Sequence, residues 1–383
     1  MPEQSEITLT PEQQIACDDI AAWMASGSRT PHTLAGYAGT GKSTVIASMG
    51  IEGIQYLAPT GKAAHVLRSK GAAADTIHSF IYDFEGVTIR DDGSEQPEFS
   101  DKMELMFQPS LVVVDEASMV NGKLYDDLVN HPDLPAPILF VGDHGQLPPV
   151  GSDPGLMRNP QAKLETIHRQ AEGNPIIAVS KHIREGGSTR ELLGGDLIGD
   201  EVRIGKIKDN TRLLEYAKEN GVDQILVPFN DMRRTINLRA REVEGRTAGL
   251  DVGEQIICLL NDRKKHTYNG MIFTVKEIVE ETAKAYTCRL IDDTGRALPT
   301  TVDVWKEGLG SPVKMSRDER LEFNNRRGYN GYFDYCTAIT THKAQGSSWR
   351  HVMVMERVCT LWDHKRWMYT ACTRAEEKLT IAL

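Results

Sequence analysis

The first half of the chain alternates short apolar runs with polar segments rich in turn-forming residues. Residues 111–114 and 137–143 are largely apolar runs of strand length, and each is followed by polar side chains. Continuous apolar runs of this kind are typical of parallel strands that are covered on both faces. Residues 32–35 are predicted to form another buried strand, and residues 43–49 a helix. The pattern therefore predicts an α/β fold built on a mainly parallel sheet.

The second half of the chain repeats this pattern. Four further apolar segments are strand candidates, and they lie at residues 224–229, 334–339, 351–355 and 378–383. Helical or inserted segments separate them, as a doubly wound sheet requires. A chain of 383 residues is also longer than one usual hydrophobic core. We therefore expect two main α/β domains.

Two segments interrupt the α/β pattern. Residues 81–108 contain a turn sequence at residues 91–94 and are predicted to form a small hairpin, or pin. Residues 253–333 alternate apolar and polar positions around two turn sequences, which predicts a small β-barrel. The two main domains are then expected at residues 1–80 with 109–160, and at residues 161–252 with 334–383.

Composition narrows the class of protein. The net charge is −10, the apolar content is ordinary, and no apolar run is long enough to span a membrane. The acidic start of the chain differs from a secretory signal, so we expect a soluble protein that stays in the cytoplasm. The six cysteines lack any Cys-x-x-Cys spacing, which argues against zinc and for a reducing compartment. We interpret them as packing residues.

Basic stretches stand out against the negative net charge. They are Arg233, Arg234, Arg239 and Arg241 on a predicted helix, residues 263–266, and residues 326–327. Net charge averages over all faces of a protein, so such stretches could still contact phosphates. We interpret each as a solvated charged face, because exposed charge is the commoner case.

A glycine-rich loop supplies the first chemical signal. Residues 36–44 read Gly-Tyr-Ala-Gly-Thr-Gly-Lys-Ser-Thr, which is the pattern of a phosphate-binding loop. In such a loop backbone N–H groups surround the phosphates, Lys42 reaches the β and γ oxygens, and Ser43 offers its hydroxyl to Mg²⁺. The predicted strand before the loop and helix after it are the expected context. An ordinary glycine turn is the alternative interpretation.

Two adjacent carboxylates give the second signal. Asp115 and Glu116 directly follow the apolar run at residues 111–114. Asp115 is placed to hold Mg²⁺ through its water shell, and Glu116 to polarise the water that attacks the γ-phosphate. Capping of a following helix is the alternative interpretation. Together with the glycine loop, the pair indicates a nucleoside-triphosphate hydrolase.

A glutamine and two arginines extend this site. Gln146 lies in a polar turn after the strand predicted at residues 137–143, where it could contact the γ-phosphate and report its presence. Arg169 and Arg374 each lie in a short motif with few other charges. The planar guanidinium suits a phosphate whose charge develops in the transition state.

Taken in order, the motifs closely resemble those of the superfamily 1 helicases of the 5′-to-3′ branch, of the RecD and Dda type. The resemblance runs from Leu-Thr-Pro-Glu-Gln at residues 9–13 to Tyr-Thr-Ala-Cys-Thr-Arg-Ala at residues 369–375. It implies two RecA-like P-loop domains with ATP held between them. The implied activity is ATP-dependent 5′-to-3′ translocation on single-stranded DNA and DNA unwinding, in replication, recombination or repair. The implied catalytic residues are Lys42, Glu116, Gln146 and two arginine fingers, Arg169 and Arg374.

The resemblance also implies binding residues. Gln13 would read the adenine edge, and Ser43 with Asp115 would hold Mg²⁺. The other nucleotide contacts would be Gly36, Ala38, Gly39, Thr40, Gly41, Lys42, Thr44 and Gly346. The DNA contacts would be Pro59, Thr60, Lys62, Thr76, His78, Thr341, His342 and Lys343. For Phe80, beside His78, we favour core packing over base stacking.

The partners that the resemblance implies are single-stranded DNA and forked or overhang duplex DNA. A single-strand-binding or replisome protein is a further expected partner, and we expect a monomer in a bacterial or phage-infected cell. Two departures limit the comparison. Ala344 stands where the family commonly has serine, and we expect the protein to differ from RecD itself in its long N-terminal domain. The chain therefore looks more like the compact, stand-alone Dda type.

Two other functions compete with this interpretation. One is an RNA-directed helicase of the same superfamily, since nothing in the sequence specifies whether a 2′-hydroxyl is read. The other is a P-loop kinase or nucleotide-controlled switch that does not translocate. The Thr-His-Lys sequence at residues 341–343 and the second arginine motif argue against the kinase or switch.

Overall fold

The computed structural model describes most of the chain. The described residues are 8–89, 95–102, 108–167, 174–195, 199–207, 209–246, 249–260, 262, 265–293, 295–311, 331–358, 360 and 362–383. Their helices are α1 (Pro11–Ala25), α2 (Lys42–Ser48), α3 (Gly61–Ser69), α4 (Ile77–Ile81), α5 (Gly122–Val129), α6 (Pro175–Arg184), α7 (Asn210–Glu219), α8 (Asn230–Val243), α9 (Thr341–Ala344) and α10 (His364–Cys372). Their strands are β1 (His32–Gly36), β2 (Ile54–Ala58), β3 (Ala74–Thr76), β4 (Tyr82–Ile89), β5 (Glu95–Asp101), β6 (Leu111–Val114), β7 (Ile138–Gly142), β8 (Ala162–Leu164), β9 (Val202–Gly205), β10 (Gln224–Val227), β11 (Gln255–Cys258), β12 (Ile272–Glu281), β13 (Ala285–Asp292), β14 (Val302–Trp305), β15 (Phe333–Tyr335), β16 (Ala338–Thr340), β17 (Trp349–Met355) and β18 (Ala375–Ala382).

The chain divides into two compact units. The first unit lies within Met1–Glu85, Phe99–Gly186 and Lys365–Thr373, and the second within Gly86–Glu98, Gly187–His364 and Arg374–Leu383. This division differs from the domain boundary expected at residue 160. The physical reason is β8, which pairs in parallel with β1 and so extends the first sheet beyond that residue.

The first unit is built on a six-stranded sheet with the order β3-β2-β6-β7-β1-β8. Every neighbouring pair in it is parallel. Side chains of β6 alternate between two hydrophobic clusters: Val112 and Val114 belong to one, Leu111 and Val113 to the other. Both faces of the sheet are therefore covered, as the continuous apolar run predicted.

The second unit contains another parallel sheet, with the order β16-β10-β17-β18-β9. Ile225 and Val227 of β10 pack in one hydrophobic cluster with Ile236 and Ala240 of α8. The two parallel sheets confirm the predicted α/β class. No helix within the described ranges has both the length and the apolar character needed to cross a membrane.

A five-stranded antiparallel sheet has the order β14-β13-β12-β11-β15. Strands β11 to β14 lie in the predicted barrel segment, whereas β15 begins at its last residue and extends beyond it. Its core contains Phe273 and Phe333, whose rings meet edge to face with centroids 6.2 Å apart. At the end of edge strand β14, the Trp305 N–H donates to the Gly331 carbonyl at 2.9 Å. Gly331 lies just before β15, so this bond links segments at the two edges of the sheet.

Strands β4 and β5 form a separate two-stranded sheet. They lie within the segment predicted to form a pin. The turn predicted at residues 91–94 lies outside the described residues.

The prediction of a single strand at residues 334–339 is wrong. Residues 333–335 form β15 of the antiparallel sheet, and residues 338–340 form β16 of the parallel sheet. The side chain of Asn237 fixes this division. Its amide nitrogen donates to the Tyr335 and Ala338 carbonyls at 2.6 and 3.1 Å, and its oxygen accepts from the Ala338 N–H at 2.6 Å.

The expectation of a solvated arginine face is wrong for two of the four arginines on α8. Arg233 is buried and donates to Asp334 Oδ2 at 2.6 Å, and Arg241 is buried against Glu254. Arg239 is exposed, as expected, and bonds Thr211. Two arginines of the stretch are therefore structural.

The Arg233–Asp334 pair should be needed for the stability of the second unit. Side chains of Arg233 and Asp334 are only 6% and 3% exposed. We expect Asp334→Ala to lower the free energy of unfolding by about 3–5 kcal/mol, because it leaves a buried guanidinium without its counter-charge. Denaturant unfolding followed by tryptophan fluorescence measures this loss.

The matched control is Glu277→Ala, which removes an exposed partner of Arg289. Exposed pairs contribute about 0–1 kcal/mol, so this variant should unfold close to the wild type. Equal effects of the two substitutions would contradict a structural role for the buried pair.

The described cysteines are all buried, which agrees with their interpretation as packing residues. They are Cys17, Cys258, Cys288, Cys336 and Cys372. Cys359 lies outside the described residues.

Candidate nucleotide-binding site

The glycine loop connects β1 to α2 and has a conformation that needs glycine. Gly39 and Gly41 have φ angles of 80° and 82°, which side chains with a Cβ rarely adopt. A Cβ at Gly36 would lie 2.5 Å from Thr40 Oγ1 and 3.1 Å from Lys42 Cγ. The loop therefore keeps its backbone close to its own lysine, as a cradle for phosphate groups does.

Lys42 is the first residue of α2. Its ammonium donates to the carbonyls of Gly36 and Tyr37 at 2.7 and 3.0 Å. The N-cap residue, Gly41, offers no side-chain acceptor to the first N–H groups of the helix. Backbone N–H groups and a lysine ammonium at one point suit the oxygens of a nucleotide phosphate.

Gln13 supports this loop from α1. The residue is 1% exposed, and its amide nitrogen donates to the Thr40 carbonyl at 3.1 Å. Its amide oxygen accepts from the Thr10 N–H at 3.0 Å as part of a capping box. In this structure Gln13 holds the loop, and its contact with adenine stays a prediction.

Asp115 and Glu116 lie at the end of β6, as predicted. Burial raises the pKa of the Asp115 carboxyl, while the Glu116 N–H and the charge of Lys42 act in the opposite direction. A bound cation would favour the ionised form further. Ser43 follows Lys42 on α2, so oxygen donors of the kind that Mg²⁺ prefers occur on both elements.

Glu116 has an unusual backbone. Its φ angle is 52°, in the left-handed region, and its N–H donates to Asp115 Oδ1 at 2.9 Å. A non-glycine residue in this region costs about 1–3 kcal/mol and is often found at functional sites. The conformation is consistent with selection for the position of the Glu116 carboxylate.

Gln146 lies in the turn that follows β7. We call residues 143–147 the coupling turn. Gln146 is 5% exposed, and its Oε1 has no hydrogen-bond partner among the described residues. An unpartnered buried acceptor costs about 1–3 kcal/mol, so such a group points to a ligand or water as its donor. Gln146 therefore suits a role in orienting a water molecule.

The sequence predicts no role for the side chains that surround Tyr37. The centroids of the Tyr37 and His144 rings lie 4.0 Å apart, and the Arg184 Cζ lies 3.4 Å from the centroid of the Tyr37 ring. Burial is the main cause that lowers the pKa of His144. The position of Tyr37 inside the glycine loop was a usable signal, whereas nothing in the sequence around Arg184 pointed to the loop.

The two predicted arginine fingers have different outcomes. Arg374 lies just before β18 in the second unit, is buried, and donates to the Ser347 carbonyl at 3.3 Å. Arg169 lies outside the described residues. Gly346, a predicted nucleotide contact, precedes Ser347 and has a φ angle of 73°.

The predicted DNA contacts of the first unit lie at two helix N-termini. Thr60 caps α3 and accepts from the Ala63 N–H at 3.2 Å, and Thr76 caps α4. His78 on α4 is exposed, which suits a strand contact. Lys62 is only 5% exposed, so this conformation gives it little surface for a phosphate, and its role stays a prediction.

Pro59 directly precedes Thr60, between β2 and α3. Phe80 is partly buried and packs against the core of the first unit, as favoured from the sequence.

The predicted DNA contacts of the second unit lie on α9. Thr341 is fully buried, whereas His342 and Lys343 are partly exposed. The Lys343 ammonium donates to Asn269 Oδ1 at 3.2 Å. Burial lowers the pKa of both His342 and Lys343. Ala344, the departure noted above, is fully buried.

Two family models match the chain. The AAA domain model matches residues 8–206, and the UvrD-like helicase C-terminal domain model matches residues 335–382. The first match covers more than half of the 383 residues. It includes the glycine loop, Asp115, Glu116 and the coupling turn.

Individual proteins are also similar. The ATP-dependent RecD2 DNA helicase of Deinococcus radiodurans is 28% identical over 411 aligned residues, which cover 99% of this chain and 49% of that protein. The chain thus spans about half the length of this relative.

Solved Pif1 structures share the fold. Bacteroides Pif1 helicase in complex with ADP-AlF3 and single-stranded DNA has a TM-score of 0.57 and 19% sequence identity to this chain. The alignment covers 98% of this chain and 93% of the Pif1 chain. A Pif1 helicase from a structural study of DNA unwinding at forked double-stranded DNA has a TM-score of 0.55 and 20% sequence identity. The alignment covers 98% of this chain and 92% of that Pif1 chain. At these identities the likeness establishes a Pif1-like fold.

Proposed function

This chain belongs to the AAA domain family, and from that premise we propose that it is an ATP-dependent DNA helicase that translocates 5′ to 3′ on single-stranded DNA. One observation carries the proposal. Strands β1 and β6 both pair in parallel with β7, so the glycine loop with Lys42 after β1 and the Asp115 carboxylate after β6 lie at the same edge of the first sheet. A lysine that can reach phosphate and a carboxylate that can hold a cation are the paired requirements of nucleoside-triphosphate hydrolysis.

In the proposed hydrolysis reaction the loop N–H groups and Lys42 bind the phosphates. Glu116 accepts a proton from the attacking water, and the unpartnered Oε1 of Gln146 helps to orient that water. Ser43 and Asp115 would hold Mg²⁺, which when bound would neutralise charge on the phosphate oxygens. Arg374 would stabilise the charge that develops in the transition state.

DNA is the proposed track. RecD2 is a DNA helicase, one similar Pif1 structure is a complex with single-stranded DNA, and another concerns DNA unwinding at forked double-stranded DNA. In the first unit Pro59, Thr60 and the exposed His78 are the proposed strand contacts, and Thr76 caps the helix that carries His78. In the second unit His342 and Lys343 are the proposed contacts. Nucleotide-dependent changes in the strand affinity of these two sets of contacts would move the protein along the strand.

The proposed roles of the inserted segments, the oligomeric state and the partners come from the sequence predictions. The two-stranded sheet of β4 and β5 would act as a strand-separating pin, and the five-stranded antiparallel sheet as a small barrel over the DNA. The protein would act as a cytoplasmic monomer on forked or overhang duplexes in replication, recombination or repair. A single-strand-binding or replisome protein would recruit it.

Steady-state ATP hydrolysis tests this function. The rate is measured without nucleic acid, with single-stranded DNA, and with single-stranded RNA of equal length and sequence. We expect DNA to stimulate hydrolysis more than RNA does. Stronger stimulation by RNA would favour the RNA-directed helicase, and hydrolysis indifferent to both would favour a kinase or nucleotide switch.

Arg374 provides a test of transition-state stabilisation. We expect Arg374→Ala to lower the turnover of ATP about a hundredfold, with little change in nucleotide affinity, because its charge acts mainly in the transition state. Turnover and the dissociation constant of a fluorescent nucleotide measure the two effects separately.

Arg350→Ala is the matched control, because Arg350 is an exposed arginine of the same unit that pairs with Asp223 at 3.3 Å. It should hydrolyse ATP like the wild type. A purely structural Arg374 would instead lower the melting temperature and leave turnover per folded molecule unchanged.

A further inference from the structure

Tyr369 joins the glycine loop to the coupling turn within the first unit. It lies on α10, five residues before Arg374, and is 2% exposed. Its ring meets the Tyr37 ring edge to face, with centroids 6.1 Å apart. The hydroxyl of this buried ring therefore faces groups of the nucleotide site rather than solvent.

The hydroxyl of Tyr369 makes two hydrogen bonds. It donates to Asp143 Oδ2 at 2.7 Å and accepts from the Ala38 N–H of the glycine loop at 3.2 Å. Asp143 also accepts from the Gly145 N–H through Oδ1 at 2.8 Å. Burial and the nearby Asp143 carboxylate raise the pKa of Tyr369, so the hydroxyl keeps the proton that this arrangement needs.

The next residue on α10 holds the other end of the coupling turn. The Leu147 N–H donates to Thr370 Oγ1 at 3.0 Å, and Thr370 is fully buried. The Thr370 hydroxyl in turn donates to the Arg366 carbonyl at 2.7 Å. Tyr369 and Thr370 thus bond to the first and last residues of the turn, and Gln146 lies between those two points.

The packing here leaves little freedom. A Cβ at Gly145 would lie 2.9 Å from Tyr369 Cε1 and 3.1 Å from Tyr37 Cε1. The coupling turn is therefore pressed against both rings at its centre and bonded at both ends. Because the turn is held at three points, the side chain of Gln146 has few alternative positions.

We propose that Tyr369 is a positioning residue for ATP hydrolysis, which acts through Gln146 and the glycine loop and does not touch the nucleotide. The proposal rests on the proposed ATP hydrolysis. The Tyr369 hydroxyl fixes the distance between the Ala38 N–H and Asp143. It thereby fixes the position of the Gln146 amide relative to the bound phosphates. Thr370 has the same function at the other end of the turn.

The variant Tyr369→Phe tests this role, because it keeps the ring and removes only the hydroxyl. We expect DNA-stimulated kcat to fall about tenfold, the scale of one lost hydrogen bond. The KM for ATP and the affinity for a fluorescent nucleotide should stay within about twofold, since the loop N–H groups and Lys42 remain. Tyr125→Phe is the control, because Tyr125 packs on Phe140 in the same unit and the variant should keep wild-type kcat.

A double-mutant cycle with Gln146→Ala separates positioning from general destabilisation. If Tyr369 acts through Gln146, adding Tyr369→Phe to Gln146→Ala should lower kcat by less than about twofold further. A structural defect would lower kcat by the same factor in both backgrounds. Thr370→Val provides a second variant should Tyr369→Phe fold poorly, and it should show the same loss of kcat and the same dependence on Gln146.

The outcomes are distinct. A wild-type protein without ATP hydrolysis would overturn the proposed function and the positioning role with it. An active wild type whose Tyr369→Phe and Thr370→Val variants both keep kcat within twofold would overturn the positioning role alone. So would a loss of kcat that is fully additive with Gln146→Ala.

Discussion

Replacement of Lys42 by alanine should reduce ATP hydrolysis to background and abolish DNA unwinding. The Lys42 ammonium is held over the glycine loop by the Gly36 and Tyr37 carbonyls, at 2.7 and 3.0 Å. A phosphate that enters the loop would find this charge already in place. Without it, the loop N–H groups alone would have to balance the charge of the nucleotide, in the ground state and in the transition state. Phosphate release from ATP in the presence of single-stranded DNA measures the loss.

Lys181→Ala is the control for this experiment. Lys181 is an exposed lysine of the first unit that lies 3.9 Å from Glu185, and its removal should leave the rate unchanged. Circular dichroism should show that both variants fold. Substantial hydrolysis by a folded Lys42→Ala protein would remove the glycine loop from the catalytic account.

Replacement of Glu116 by glutamine should separate binding from hydrolysis. Glutamine has nearly the same shape as glutamate but cannot accept the proton of the attacking water. We expect kcat to fall about a thousandfold, within the range that proton transfer contributes to catalysis. ATP affinity should persist, because Lys42 and the loop are unchanged. The variant should therefore accumulate in the ATP-bound state.

Two measurements check this prediction together. Turnover gives the loss of kcat, and ATP binding under single-turnover conditions gives the retained affinity. Glu185→Gln, at an exposed position of the same unit, is the matched control and should turn over ATP like the wild type. A Glu116→Gln protein with normal turnover would show that Glu116 merely occupies its left-handed position for structural reasons.

Local sequence signals predicted the parts of the fold that depend on neighbouring residues. The apolar run at Leu111–Val114 became β6 with the same bounds, because strands covered on both faces need unbroken apolar runs. The glycine loop appeared with φ angles that only its glycines tolerate. The resemblance to superfamily 1 helicases of the RecD type is confirmed by the AAA domain match and the RecD2 relative.

Features that depend on distant contacts could not be predicted in this way. The segment at residues 334–339 reads as one apolar strand, yet Asn237, about a hundred positions earlier, divides it between two sheets. Arg233 and Arg241 read as surface charge, but Asp334 and Glu254 pair with them in the interior. The sequence contains each partner but not the contact.

The nucleotide site shows the same limit. Gln146 and Tyr369 both lie in motifs that resemble those of the helicases, but the sequence predicts a role only for Gln146. The bond from Tyr369 to Asp143 joins residues 226 positions apart. Only the folded chain shows that α10 holds the coupling turn.

Strand displacement on directional substrates tests the central claim most directly. Duplexes of one sequence are prepared with a single-stranded overhang on only the 5′ side or only the 3′ side, and the displaced strand is measured with and without ATP. We expect ATP-dependent displacement from the 5′ overhang, none from the 3′ overhang, and none by Lys42→Ala. Displacement that requires the 3′ overhang would contradict the proposed direction, and ATP hydrolysis without displacement from either substrate would contradict the helicase itself.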